Sequence, residues 1–173
     1  MTTDYRALPD PERIKELFHY NQEEGALYWR QRHNSQIDLA KPAGWLEQSG
    51  YRGVRVDGVK YKRHRVIWCL FNGDPGAMEI DHINRIKGDD RIENLRAVTK
   101  SQNQLNRSAL VVNKSGYKGV DRQGNKYRAQ ITDSEGRKKH LGFYDTPQEA
   151  AEAYLAAAVV YHGEFCFSPC TDQ

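Results

Sequence analysis

Apolar side chains recur along the N-terminal part of the chain with the spacing of a helix face. Within 10–18, Ile14, Leu17 and Phe18 stand at i, i+3 and i+4, which would place them on one side of a helix. Asp10 followed by proline is typical of a helix start, because aspartate accepts from free N–H groups and proline tolerates the first helical position. The pattern therefore predicts a short amphipathic helix.

After this helix, apolar and polar residues alternate with a period of two, as in a strand. A strand is predicted over 26–30, and two alternating runs lie within 50–63. The two runs flank Asp57-Gly58, a dipeptide favoured in two-residue turns because both turn positions take positive φ. We therefore predict a β-hairpin here. The apolar stretch 64–71 is expected to form a buried helix.

A compact unit of strand, loop, strand and helix is predicted over 79–107. Thr99 and Gln102 have the spacing of a capping box, in which side-chain and backbone groups satisfy each other at a helix start. This spacing places Asn103 in the first turn of the closing helix, facing back toward the preceding strands.

The pattern changes after a break at 108–115. Turn residues then separate three short alternating stretches, and Thr146 and Glu149 form a second capping box before a helix that runs to Gly163. We therefore predict an α+β chain of two domains, 1–110 and 111–173. The three predicted strands are 117–122, 126–133 and 137–144.

Composition narrows the class of protein. The chain has 173 residues, of which 38% are apolar, so it can form one or two small domains. Its longest apolar run, Ala153–Tyr161, is nine residues, well short of the roughly 20 that a membrane-spanning helix needs. No signal peptide is expected, and the three cysteines form no C-x-x-C pair. We expect a protein of a reducing, cytoplasmic compartment.

Charge is distributed unevenly although the net charge is +3. Residues 111–146 carry eight basic and four acidic groups, whereas 147–173 carry four acidic groups and no basic ones. A second basic zone lies at 51–67. Such zones attract a polyanion, and a solvated strand face is the alternative. The candidate DNA-binding residues of the second zone are Arg55, Lys60, Lys62 and Arg65.

Four polar residues in 79–107 have the make-up of a metal-dependent hydrolytic site. Asp81 and His82 are adjacent at a predicted strand end, Asn94 follows thirteen residues after Asp81, and Asn103 nine further on. Neighbouring strand residues point to opposite faces, so both can serve one site if the strand ends or bends there. Asp81 and Asn103 offer oxygen ligands suited to Mg²⁺, with Mn²⁺ expected to substitute. His82 is a candidate general base, and Asn94 could orient it.

The motifs of this region resemble those of HNH endonucleases with the ββα-metal fold, in the phage and intron-encoded group that has Asn at the last motif position. The resemblance implies that Asp81 and Asn103 bind one divalent ion, that His82 activates the attacking water and that Asn94 fixes the His82 ring. It also implies 5′-phosphate and 3′-hydroxyl ends, and a protein that is associated with the nucleoid in the cytoplasm of a bacterial or phage-infected cell. The residues that carry it are His64-Arg65-Val66-Ile67-Trp68, Glu79-Ile80-Asp81-His82-Ile83-Asn84, Asn94-Leu95-Arg96 and Gln102-Asn103.

The C-terminal region resembles the AP2/ERF DNA-binding domain, on Ser115-Gly116-Tyr117-Lys118-Gly119-Val120, Tyr127-Arg128-Ala129-Gln130-Ile131 and His140-Leu141-Gly142-Phe143-Tyr144. The resemblance implies a three-stranded sheet in the major groove with a helix behind it. Asp121 and His140 depart from the usual Arg and Trp, so the preferred DNA sequence is not carried over. The groove-facing positions implied are Lys118, Arg122, Arg128, Gln130, Thr132, Lys138 and His140.

The main hypothesis is a homing-type DNA endonuclease that acts as a monomer on duplex DNA, without a membrane or a small-molecule substrate. One active site per chain predicts a nick. A DNA-binding regulator that uses the same sheet without catalysis is the second hypothesis, and a structured-RNA binder is the third. Singly, each Asp, His or Asn is more often a turn, cap or packing residue; their order and spacing favour the nuclease.

Overall fold

The structure is a computed structural model that describes residues 7–105, 115–133 and 135–163. Contacts between Cα atoms divide the chain into two compact units, residues 1–100 and 101–173. The predicted domain boundary after residue 110 falls outside the described residues. Within the described part, no helix has the length and apolar character needed to cross a membrane.

The first unit opens with helix α1, Pro11–Leu17. As predicted, Asp10 caps it: the Asp10 carboxylate accepts from the N–H of Glu12 at 2.8 Å. The remaining elements of this unit are β1 (Phe18–Asn21), β2 (Ala26–Trp29), β3 (Trp45–Leu46), β4 (Arg52–Val56), β5 (Val59–Lys62), α2 (Arg63–Asn72), β6 (Glu79–His82) and β7 (Leu95–Val98), with a single 3₁₀ turn at Ile92–Asn94 before β7.

Three small antiparallel sheets form in this unit: β1 with β2, β3 with β4 and β5, and β6 with β7. The hairpin predicted around Asp57-Gly58 is confirmed, and both turn residues have positive φ. Strands β1 and β3 were not predicted; Phe18 leaves the predicted helix and begins β1. The apolar faces of α1, α2 and the strands share one core, which includes Ile14, Phe18, Leu27, Val54, Val66, Ile67, Ile80 and Leu95.

A glycine fixes how the β1–β2 hairpin meets the chain between β6 and β7. Gly25, in the turn of that hairpin, has φ +59, and a Cβ there would lie 2.3 Å from the backbone nitrogen of Arg91. Such a distance excludes any side chain. One residue further along the chain, the N–H of Ile92 donates to the Tyr20 hydroxyl at 2.9 Å. The segment that leads into β7 is therefore anchored against β1 and β2.

The second unit contains a three-stranded antiparallel sheet in the order β10–β9–β8, packed against a helix. The predicted capping box is confirmed at the start of that helix, with Thr146 and Glu149. This order of elements agrees with the prediction, while the likeness to an AP2/ERF domain stays a prediction. The elements are β8 (Val120–Gln123), β9 (Lys126–Thr132), β10 (Lys138–Tyr144) and α4 (Pro147–His162); helix α3 (Lys100–Leu105) lies at the boundary of the two units.

Candidate active site

Asp81 and His82 occupy the last two positions of strand β6. Asp81 pairs with Arg96 across the β6–β7 ladder, and His82 pairs with Leu95. The two side chains leave the strand on opposite faces: His82 is buried, and Asp81 is half-buried. The strand ends here, and the N–H of Arg85 donates back to the His82 carbonyl at 2.9 Å.

The Asp81 carboxylate is held by a neighbouring cation. Its Oδ2 accepts from Nη2 of Arg96 at 3.0 Å and from Nε at 3.1 Å. About an eighth of each side chain is exposed, 12% for Asp81 and 14% for Arg96, so the carboxylate can still be reached from solvent. An oxygen ligand of this kind suits a hard divalent cation.

The Asn94 side chain stabilises the loop that follows β6 through three hydrogen bonds. Its amide nitrogen donates to the Asn84 side chain at 2.9 Å and to the Asp89 carbonyl at 2.8 Å, and its amide oxygen accepts from the Asn84 N–H at 3.0 Å. These hydrogen bonds shape the loop and do not reach the His82 ring. The ring-fixing role predicted for Asn94 therefore differs from the contacts that its side chain makes.

The residue that faces the His82 ring is Asp90, which the sequence reasoning did not single out. Oδ1 of Asp90 lies 2.8 Å from Nε2 of His82, and its Oδ2 accepts from Nε of Arg63 at 2.8 Å. Arg63 reaches this point from the first turn of α2. A carboxylate thus joins an imidazole and a guanidinium inside the first unit.

Two further rings enclose His82. The His64 ring meets it edge-on with ring centres 4.9 Å apart, and the Tyr51 ring lies 5.9 Å from it. Nδ1 of His64 is buried without a hydrogen-bond partner among the described residues. Burial lowers the pKa of His64 to about 3. His64 is therefore neutral at physiological pH, and its side chain is packed in the interior of the first unit.

Two sets of side chains could hold a divalent ion. The predicted set is Asp81 with Asn103; Asn103 lies half-buried on α3, in the second unit, and its role as a ligand stays a prediction. The second set comprises His64, His82 and Asp90, whose ligand atoms lie within 4.8 Å of one another. In that set the Asp90 carboxylate already forms an ion pair with the Arg63 guanidinium, whose positive charge would repel a metal ion.

A family model described as HNH endonuclease matches residues 61–105, the segment that contains Arg63, His64, Asp81, His82, Asp90 and Asn94. The chain contains an HNH endonuclease domain. The predicted class of enzyme, an HNH endonuclease, is thereby confirmed.

Similarity to known proteins extends beyond that segment. The chain is 31% identical over 129 residues to an uncharacterized HNH endonuclease of Acanthamoeba polyphaga mimivirus, which covers 73% of this chain and 66% of that protein. A solved structure of the HNH homing endonuclease I-HmuI, described as showing DNA binding and cleavage, aligns with a TM-score of 0.44 and 20% identity, covering 89% of this chain and 90% of that one.

Of the predicted basic residues of the hairpin, Lys62 lies close to the HNH site. Arg55 and Lys60 are paired across β4 and β5 and are exposed. Nζ of Lys62 lies 5.2 Å from the centre of the Tyr51 ring, the ring that borders His82, and Lys62 also pairs with Glu47. The predicted Arg65 is half-buried on α2, and its burial lowers the pKa of its guanidinium.

In the second unit, the strand register sorts the predicted DNA-binding residues by face. Arg128 lies opposite Asp121, and Gln130 lies opposite His140, on the side of the sheet away from the buried Ala129. Arg122 lies opposite Tyr127, which packs into the core, so Arg122 leaves from the other face. Lys118 precedes β8 and is half-buried. The face away from the core carries the predicted residues Arg128, Gln130, Thr132, Lys138 and His140.

Sequence reasoning missed Arg63, Asp90 and Tyr51 at the HNH site. Arg63 lies within the basic zone at 51–67, and neither Asp90 nor Tyr51 was singled out. The available signal was weak: Asp89-Asp90 stands between the two predicted strands of the motif unit. In the structure the two acids separate, since Asp89 pairs with the exposed Arg91 at 2.6 Å and Asp90 points inward.

Proposed function

We propose that this protein is a metal-dependent DNA endonuclease that hydrolyses one phosphodiester bond of a duplex. The observation that carries the proposal is the pairing of Asp81 and His82 at the end of β6, within the segment that matches the HNH endonuclease model. An acid and an imidazole at adjacent positions where a strand ends provide the two groups that metal-assisted hydrolysis needs, an oxygen ligand and a base.

His82 acts as the general base of the proposed reaction. A neutral imidazole can take a proton near physiological pH. It accepts a proton from a water molecule whose oxygen attacks the scissile phosphorus. The bond from phosphorus to the 3′ oxygen then breaks, which leaves a 5′-phosphate and, after the leaving oxygen takes a proton from solvent, a 3′-hydroxyl.

Asp81 and Asn103 would hold the divalent ion, Mg²⁺ or Mn²⁺. The donor chemistry fits, because a carboxylate and an amide oxygen are hard ligands of the kind these ions prefer. When bound, the ion supplies charge that polarises the scissile phosphate and stabilises the leaving oxygen. Arg96 holds the Asp81 carboxylate in a fixed orientation.

DNA binding is proposed for two basic surfaces. One is the exposed hairpin face with Arg55, Lys60 and Lys62, together with Arg65 on α2. The other is the β8–β10 face away from the core, where the AP2-like role was predicted. Basic side chains on such faces contact phosphates, and the polar ones can read base edges in the major groove. We propose that the protein acts as a monomer in the cytoplasm and, having one HNH site, nicks one strand.

The proposal is tested with supercoiled plasmid that carries candidate target sequences. The wild-type protein with Mg²⁺ or Mn²⁺ should convert supercoiled DNA to the relaxed form, and EDTA should stop the reaction. DNA ligase should reseal the nick, because it requires a 5′-phosphate beside a 3′-hydroxyl. Absence of cutting across both metals and the candidate sites would contradict the proposal.

A gel-shift assay run beside the plasmid assay separates the nuclease from a regulator. The Asp81→Ala variant should bind duplex DNA about as well as the wild type but should not cut it. Binding by the wild type without any cutting would favour a DNA-binding regulator. Preference for structured RNA over duplex DNA would favour the RNA-binding alternative.

A further inference from the structure

Three buried side chains of the first unit, Arg63, Asp90 and His82, form a continuous row of polar contacts. Asp90 is fully buried, with 0% of its surface exposed, and Arg63 and His82 are 5% and 3% exposed. The two oxygens of Asp90 are used separately, one toward each partner, at 2.8 Å in both cases. An aspartate is almost never buried to this degree unless it is paired.

The fold holds the Asp90 backbone from two sides. The turn at Gly25 packs directly on the backbone of Asp90 and Arg91, where a Cβ would lie 2.7 Å from the Asp90 carbonyl carbon. Asn94 donates to the carbonyl of the preceding residue, Asp89, at 2.8 Å. Because these contacts come from β1–β2 and from the turn before β7, the Asp90 carboxylate has a fixed position relative to β6.

A carboxylate in this position selects one protonation form of the histidine. An ionised carboxylate can accept hydrogen bonds but cannot donate them, and the second oxygen of Asp90 accepts from Nε of Arg63 at 2.8 Å. The nitrogen that faces Asp90, Nε2 of His82, must therefore carry a proton. In the neutral ring the lone pair then lies on Nδ1, which is the nitrogen able to take a proton.

We propose that Asp90 is a positioning residue that orients the His82 ring and fixes it in the Nε2–H form, so that Nδ1 serves as the base. The inference rests on the proposed nuclease function for its catalytic consequence. Arg63 completes the arrangement by holding the second oxygen of Asp90. Asp90 thereby performs the ring-fixing role that the sequence had assigned to Asn94, and Asn94 supports it by bracing the loop.

The competing interpretation is that His64, His82 and Asp90 bind a metal ion directly. In that case a ligating Nε2 of His82 would carry no proton, because a metal and a proton cannot occupy the same lone pair. The Arg63 guanidinium would also have to give up its place on Asp90. The protonation of Nε2 therefore distinguishes the two interpretations.

The first test is the tautomer of His82, read from long-range ¹H–¹⁵N correlations of the imidazole nitrogens in the full-length protein. We expect Nε2 of wild-type His82 to be protonated without metal and to remain so with Mg²⁺ or Zn²⁺ added. A ring protonated at Nδ1 without metal, or loss of the Nε2 proton on addition of either ion, would overturn the proposal. This readout needs no DNA cleavage.

The second test compares two variants that remove the same charge one residue apart, Asp90→Asn and Asp89→Asn. Asp90→Asn should disturb the His82 tautomer and lower kcat about 10- to 100-fold with little change in KM, less than the loss of the whole base would cause. Asp89→Asn should leave the tautomer unchanged, because Asp89 bonds Arg91 and Asn84.

The results of these two tests distinguish a failure of the role of Asp90 from a failure of the proposed nuclease function. If the wild type cuts DNA and Asp90→Asn cuts with the same kcat and tautomer, the inference fails and the nuclease function stands. If the wild type cuts nothing but its His82 is protonated at Nε2, the nuclease function fails and the contact with Asp90 stands. Should Asp90→Asn fail to fold, the wild-type tautomer still decides the matter.

Discussion

Two carboxylate–guanidinium pairs in this protein have similar separations and opposite surroundings. Arg63 and Asp90 meet at 2.8 Å in the first unit, with side chains 5% and 0% exposed. Arg128 and Asp121 meet at 3.0 Å across β8 and β9 in the second unit, through two hydrogen bonds, with side chains 32% and 39% exposed. The charged groups are the same in both pairs, and the pairs differ most in their access to water.

Access to water determines how each pair responds when one partner is removed. Removing one partner of a buried pair leaves a charge with neither solvent nor counter-ion, whereas an exposed partner is simply hydrated. The buried pair therefore acts as part of a rigid framework around His82. The exposed pair lies on the sheet face proposed to meet DNA, where Arg128 is available to exchange Asp121 for a phosphate.

The largest effect is expected from breaking the buried pair. Asp90→Ala should lower the free energy of unfolding by about 3–5 kcal/mol, because the Arg63 charge would remain buried and unpaired. Urea denaturation of this variant and of the wild type measures the change. Asp89→Ala serves as the matched control, since it removes a neighbouring, partly exposed carboxylate. A loss below about 1 kcal/mol for Asp90→Ala would contradict the importance given to burial.

A smaller effect is expected from pH, through buried His64. Its pKa of about 3 in the folded state lies below the ordinary histidine value of about 6.5, so the unfolded chain binds a proton that the folded protein does not. Stability should therefore fall as pH drops below about 6.5, by up to about 1.4 kcal/mol per pH unit from this group.

Denaturation at pH 7 and pH 5 in metal-free buffer checks this expectation. His64→Gln should reduce the loss of stability between these two pH values, whereas the variant of an exposed histidine on the sheet, His140→Gln, should not. An equal loss in His64→Gln and in the wild type would show that His64 is not the group responsible.

The smallest effect on stability is expected from the exposed pair. Asp121→Asn should change the free energy of unfolding by no more than about 1 kcal/mol. If the sheet face binds DNA, the same substitution should tighten binding by up to about fivefold, because it removes a negative charge beside Arg128 and frees that cation for phosphate. Titration of labelled duplex measures the affinity, and weaker binding by Asp121→Asn would argue against DNA on this face.

Local sequence signals predicted most of the elements of both units and the position of Asp81 and His82 on the strand. The Asp57-Gly58 turn and the Thr146 capping box succeed because their geometry is set within a few residues. Asp81 and His82 were placed at a strand end, and β6 does end at His82. Strand β3 was missed because a two-residue strand carries no alternation.

The partner of His82 could not be found in this way. Asp90 contacts Arg63, 27 positions earlier in the chain, and its place depends on Gly25 in a different hairpin. No short pattern encodes contacts between such distant positions. The sequence also does not distinguish the two adjacent acids, Asp89 and Asp90. Asp89 is partly exposed and pairs with Arg91, which lowers the pKa of Asp89 to about 2. Asp90, by contrast, is buried.

If the buried site performs the chemistry and the exposed sheet binds DNA, substitutions in the two regions should change different kinetic constants. Steady-state cleavage of one duplex by His82→Ala and by Lys138→Ala measures both constants, since Lys138 is exposed on β10. His82→Ala should lower kcat by about 10²–10⁴-fold with KM nearly unchanged, and Lys138→Ala should raise KM with kcat unchanged. Cleavage by His82→Ala at the wild-type kcat would show that His82 is not the base.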